Sequence, residues 1–117
     1  MIEISGAKNI YLAIGITDMR KSISGLSAIV SQKFKLDPFS DSMFVFCSRN
    51  RQRIKILRYE TNGWWLYYKV LETQRFQWPG DPGELKQINM QSFRWLLDGL
   101  DIEQPRAHKP IKAKYIC

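Results

Sequence analysis

Five cations and no acid fall between Arg49 and Arg58 of this 117-residue chain: Arg49, Arg51, Arg53, Lys55 and Arg58. In an extended strand residues of one parity share a face, so Arg51, Arg53 and Lys55 are expected to project together while Ile54 and Ile56 face a core. Their two-residue steps, roughly 6.6 to 6.8 Å, resemble the spacing of successive phosphates on a nucleic-acid strand. Arg49, in the preceding turn, extends the line. A second acid-free stretch, Arg106 to Cys117, adds Arg106, Lys109, Lys112 and Lys114. Half of the eighteen Lys and Arg residues therefore lie in two short stretches, against a net charge of +7. A basic field concentrated in this way points to a polyanionic partner, with DNA the expected one. Cations along a strand also protect a sheet edge from aggregation, and that reading stays open beside the first.

Other chemistry has little support. The single His, His108, stands in the basic tail, and Cys47 and Cys117 have no metal-ligand spacing, so neither a metal site nor a cofactor is expected. There is no Gly-rich phosphate loop and no nucleophile motif. No catalytic residue is assigned, and enzymatic activity is not expected. Arg20 and Lys21 form a possible second basic site, beside an Asp18 that equally well caps a helix. The run Trp64-Trp65-Leu66-Tyr67-Tyr68 suggests base stacking, but five bulky residues in succession fit a core or an interface better.

The elements that must carry these residues can be placed by periodicity. Asn9–Ile14 reads as a short buried strand. Met19, Ile23, Leu26, Val30 and Phe34 recur at helical spacing, so a four-turn helix is expected from Thr17-Asp18 as cap to the Asp37-Pro38 stop. Met43–Cys47, Arg53–Tyr59 and Trp64–Leu71 read as strands, the last two joined at Asn62-Gly63. Arg75–Pro79 is expected to add a short strand. Ile88–Gly99 reads as a second helix, with Asn89 as cap and Gly99 as stop. The expected fold is thus α+β: a small antiparallel sheet of three to five strands, two helices and a basic C-terminal tail. Residues 1–103 form the expected compact domain and residues 104–117 the tail, where Pro105, Pro110 and the cations replace apolar pattern. No apolar run approaches the roughly 18 residues of a membrane helix. The start, Met1-Ile2-Glu3-Ile4-Ser5-Gly6, has no signal-peptide pattern, so a cytoplasmic protein is expected.

One combination of motifs is more specific. Thr17-Asp18-Met19-Arg20-Lys21 is followed by Gly25-Leu26 and by Asp37-Pro38-Phe39-Ser40. Phe44-Val45-Phe46, the basic turn, Trp78-Pro79 and Leu96-Leu97 with Gly99-Leu100-Asp101 then complete the order. Over residues 10 to 102 this resembles the small accessory protein, TnpB or second-reading-frame type, of the insertion sequence 66 family. At the turn the family often carries Gly after its basic residues, where this chain has Asn50 and Arg51. The resemblance implies a protein of a bacterial mobile element, encoded beside a separate DDE-type transposase that performs the cutting and joining. The expected function is a non-enzymatic accessory factor for transposition that contacts DNA through the basic strand and tail. The alternative is a protein–protein adaptor that assembles the transposase complex without touching DNA. Expected partners are DNA, the transposase and other element-encoded proteins, with a homo-oligomer possible and no membrane.

Overall fold

The computed structural model describes residues 6–104. Its centre is a five-stranded sheet in the order β4-β3-β2-β1-β5. The strands are β1 (Asn9–Ile16), β2 (Ser42–Cys47), β3 (Arg53–Glu60), β4 (Gly63–Val70) and β5 (Leu85–Ile88). Helix α1 (Ile23–Ala28) runs into a π-helical turn at Ile29–Lys33, and α2 (Met90–Leu97) follows β5.

The α+β class is as expected, but the sheet is mixed, not antiparallel: β1 and β2 run parallel, with Asn9 opposite Ser42 and Leu12 opposite Val45. Parallel neighbours need a crossover, and α1 with its π turn supplies it across one face. The remaining pairings, β2–β3, β3–β4 and β1–β5, are antiparallel.

Both sheet faces are covered, which explains why β2 is buried at all six positions. Leu26 and Val30 of the crossover pack on Phe44, Phe46, Leu57 and Ala13 on one side. On the other, Phe93 and Leu96 of α2 and the irregularly placed Phe76 pack on Leu12, Val45, Ile54 and Ile56.

Three local expectations are corrected. The first helix starts at Ile23 with Ser22 as its N-cap, later than the apolar periodicity suggests. Asp18 does not cap it, because its carboxylate accepts from the backbone and guanidinium of Arg20, at 2.9 Å and 2.7 Å, and closes a separate turn. Residues 75–79 form no strand. Phe76 donates its backbone N–H to the Arg51 carbonyl at 2.7 Å, which pins the segment across the sheet face. The strand in this region is β5, so Ile88 belongs to it and not to the helix. The α2 cap is as expected, with the Asn89 side chain accepting from Ser92 N–H at 2.8 Å. Gly99, at φ +83°, ends the helix in a conformation that favours glycine.

Candidate nucleic-acid interface

The turn between β2 and β3 is built by its own polar side chains. The Ser48 hydroxyl donates to Asn50 Oδ1 at 2.7 Å, and that oxygen also accepts from Gln52 N–H at 3.1 Å. Arg53 N–H donates to Ser48 Oγ at 3.2 Å, closing the loop on itself. Arg51 takes φ 64°, the left-handed region, at the point where the resembling family often carries glycine. The turn therefore holds Arg49 and Arg53 on one side while it rotates Arg51 away.

This geometry divides the cationic stripe. Arg51 precedes β3 and its guanidinium lies against the Cys47 thiol, one terminal nitrogen being enclosed without a hydrogen bond. Arg58 has the parity of Ile54 and Ile56, is 5% exposed, and pairs with Asp41 at 3.5 Å and Glu60 at 4.0 Å. Lys55 shares the Arg53 face, but its ammonium donates to the Lys21 carbonyl at 2.8 Å. Arg49 and Arg53 remain exposed, and among the described residues neither guanidinium makes a hydrogen bond or ion pair. Arg106, Lys109, Lys112 and Lys114 lie outside the described residues.

The two basic sites of the sequence meet at one cleft. It measures about 740 Å³ and lies at the carboxyl ends of the parallel pair, where β1 ends at Ile16 and β2 at Cys47, with Thr17 and Ser48 following them. Asp18 and Arg20 line one wall, and Arg49, Asn50 and Arg53 the other. Parallel strands end together here, and the loops that leave them diverge, which opens a crevice of the kind in which α/β sheets place ligands. Lys21 lines a smaller adjoining cavity of about 210 Å³. The Arg20–Asp18 pair is solvent-exposed, and the Arg20 hydrogen bond holds the Asp18 carboxyl well below the usual carboxylate range. Arg20 is thus a cation already matched, whereas Arg49 and Arg53 are not. Sequence parity missed this convergence because it depends on β1 and β2 being parallel neighbours.

The aromatic run is less buried than expected. It forms most of β4, an edge strand, and Trp65 and Tyr68 are each 51% exposed. Leu66 and Trp64 pack partly on the crossover side and Tyr67 on the α2 side. Among the described residues no group of three or more His, Cys, Asp or Glu could hold a metal ion. No helix among them is long and apolar enough to cross a membrane.

Together, fold and cleft define a small α+β protein with a cationic crevice at one end of a mixed sheet. By sequence the chain belongs to the family described as IS66 Orf2-like proteins, which it matches over residues 8–107. That is a transposition-associated accessory family, as the motifs implied. Two relatives come from Sinorhizobium fredii (strain NBRC 101917 / NGR234). Uncharacterized protein y4hO is 32% identical over 97 residues, covering 83% of this chain and 84% of that protein. Uncharacterized protein y4jC is 29% identical over 112 residues, covering 96% and 95%. No solved structure matches the chain.

Proposed function

We propose that this protein is a non-enzymatic accessory factor for transposition that binds DNA phosphates in the cleft between the Asp18–Lys21 turn and the Arg49–Arg53 turn. The observation that carries this reading is the convergence of Arg49 and Arg53, both without an acidic partner among the described residues, on the cleft that Arg20 also lines. Guanidinium groups suit phosphate through paired N–H donors, and contacts to phosphate position a protein without reading base sequence. Residues 1–103 act as the folded body. The tail of residues 104–117 adds Arg106, Lys109, Lys112 and Lys114 to the field that draws DNA in. The partner transposase and the element's DNA are met in the cytoplasm.

Fluorescence anisotropy from about 50 to 200 mM salt tests this, because each phosphate contact contributes about 0.9 to the log–log salt slope on duplex DNA. Replacing Arg49 and Arg53 together with Gln is expected to reduce that slope by up to about 1.8, similarly for unrelated DNA sequences. A wild-type protein that binds no DNA at the lowest salt sinks the proposal. The adaptor reading then takes its place, supported by the open edge of β4 and the exposed Trp65 and Val70 on it.

A further inference from the structure

The β3–β4 ladder places an exposed aromatic ring beside the cationic cleft. Lys55 stands directly opposite Tyr68, and Arg53 opposite Val70, so Tyr68 is the diagonal neighbour of Arg53, which lines the cleft. All four residues share a sheet face by parity. The Lys55 ammonium lies 5.4 Å from the Tyr68 ring centroid and is itself held by the carbonyl of Lys21, the residue after the Arg20 that lines the cleft. This contact steadies the ring and sets a positive charge next to whatever rests on it. Half of Tyr68 is nonetheless exposed.

We propose that the cleft takes an unpaired segment of DNA, with Tyr68 as the residue on which a base stacks while Arg49 and Arg53 hold the flanking phosphates. This rests on the DNA-binding reading above and names its substrate class. Duplex DNA keeps its base faces covered by neighbouring pairs and must be unstacked, at a free-energy cost for each step, before a ring can reach them. An unpaired base offers its face freely. A cationic groove with an exposed ring at its side is the combination by which single strands are held without sequence preference. Trp65 is equally exposed, but it lies on the opposite face, where its indole N–H donates to Glu60 at 3.0 Å and its ring stacks on Tyr67. It does not adjoin the cleft, and an acid stands beside it.

The test is anisotropy on the full chain with two probes, a labelled oligothymidylate and a labelled duplex of equal length. The variants are Tyr68→Leu, Tyr68→Phe, Trp65→Leu and the Arg49→Gln/Arg53→Gln pair. Leu preserves apolar bulk on the edge strand but has no π-face. Tyr68→Leu is expected to weaken oligothymidylate binding about 5- to 150-fold, the range for loss of one stacked base, and to leave duplex binding unchanged. Tyr68→Phe and Trp65→Leu should both bind the single strand as wild type does. Equal losses on both probes, no loss for Tyr68→Leu, or a Trp65→Leu loss as large as that of Tyr68→Leu each overturns the proposal. If the Arg pair weakens both probes while the Tyr68 series stays flat, the stacking inference falls and the phosphate-binding reading stands. Wild-type protein that binds neither probe removes both.

Discussion

The indole N–H of Trp78 donates to the carbonyl of Ala13 at 2.9 Å, across 65 residues of sequence. Ala13 lies where the β1–β2 register shifts, between Leu12 and Ile16, so the strand ladder there is interrupted. The indole supplies a donor to a carbonyl at that break. A buried acceptor left unpaired is destabilising. Trp78→Phe keeps much of the ring and removes the donor, and is expected to cost about 1–3 kcal/mol in urea denaturation. A midpoint equal to wild type would show that solvent serves this carbonyl equally well.

Asp18 is expected to limit the cleft's hold on anions. Its carboxylate takes three hydrogen bonds from the Arg20 side chain and one from its backbone. Asp18→Asn removes a negative charge from the cleft and frees Arg20, so DNA binding should tighten and the salt slope steepen by about 0.9. Because the folded-state carboxyl is held low by Arg20, the pair is fully ionised above the ordinary carboxylate range and is lost only as pH falls through the depressed value. Wild-type affinity should accordingly show no step from Asp18 between about pH 5 and 8. Weaker binding by Asp18→Asn would mean that the turn, and not the charge, is what the cleft needs.

Cys47 is fully buried in β2, and burial pushes its thiol from 9.0 up to about 11, against a smaller opposing effect of Arg51. The folded state therefore favours the neutral thiol. Its contribution to stability is whole below about pH 9 and is lost as pH rises towards about 11. At neutral pH the native thiol should resist a thiol-specific chromogenic reagent and react only on unfolding. Rapid modification of Cys47 in the native protein, with Cys117 replaced by Ser, would contradict this.

Arg51 and Arg58 should separate from Arg49 and Arg53 in function. Arg58→Gln breaks the contacts to Asp41 and Glu60 from a buried position. Both acids stay partly hydrated, so the expected loss is about 1–3 kcal/mol of stability, less than for a fully buried pair. Neither Arg58→Gln nor Arg51→Gln should change the salt slope of DNA binding. A slope reduced by either, in a protein that still melts cooperatively, would return these two residues to the DNA interface.

Strand and helix periodicity carried most of the fold. β2, β3 and β4 begin and end within a residue or so of their expected limits, because alternation and the Asn62-Gly63 turn are local signals. What periodicity does not carry is pairing direction. Nothing local to β1 says that it lies parallel beside β2, and that arrangement alone brings the Asp18–Lys21 turn to the Arg49–Arg53 turn. Face assignment along the basic strand was right for Arg53 and Lys55, which lie inside β3. It failed at Arg51, where a positive φ breaks the alternation, and parity itself separates Arg58 from them. β5 was missed because four residues with Lys and Gln inside give almost no pattern.

The place of β1 in the sheet also governs the order of assembly. It is made first, yet one neighbour, β2, begins at Ser42 and the other, β5, at Leu85. During synthesis β1 therefore leaves the ribosome with both of its edges open, and the second stays open until almost the whole described body has emerged. Closing so wide a loop loses chain entropy before any hydrogen bond is gained, which slows folding as the sequence separation of the partners grows. A nascent chain whose β5 is still enclosed by the ribosome should expose an apolar strand edge to chaperones, and one with Leu97 clear of the exit tunnel should not.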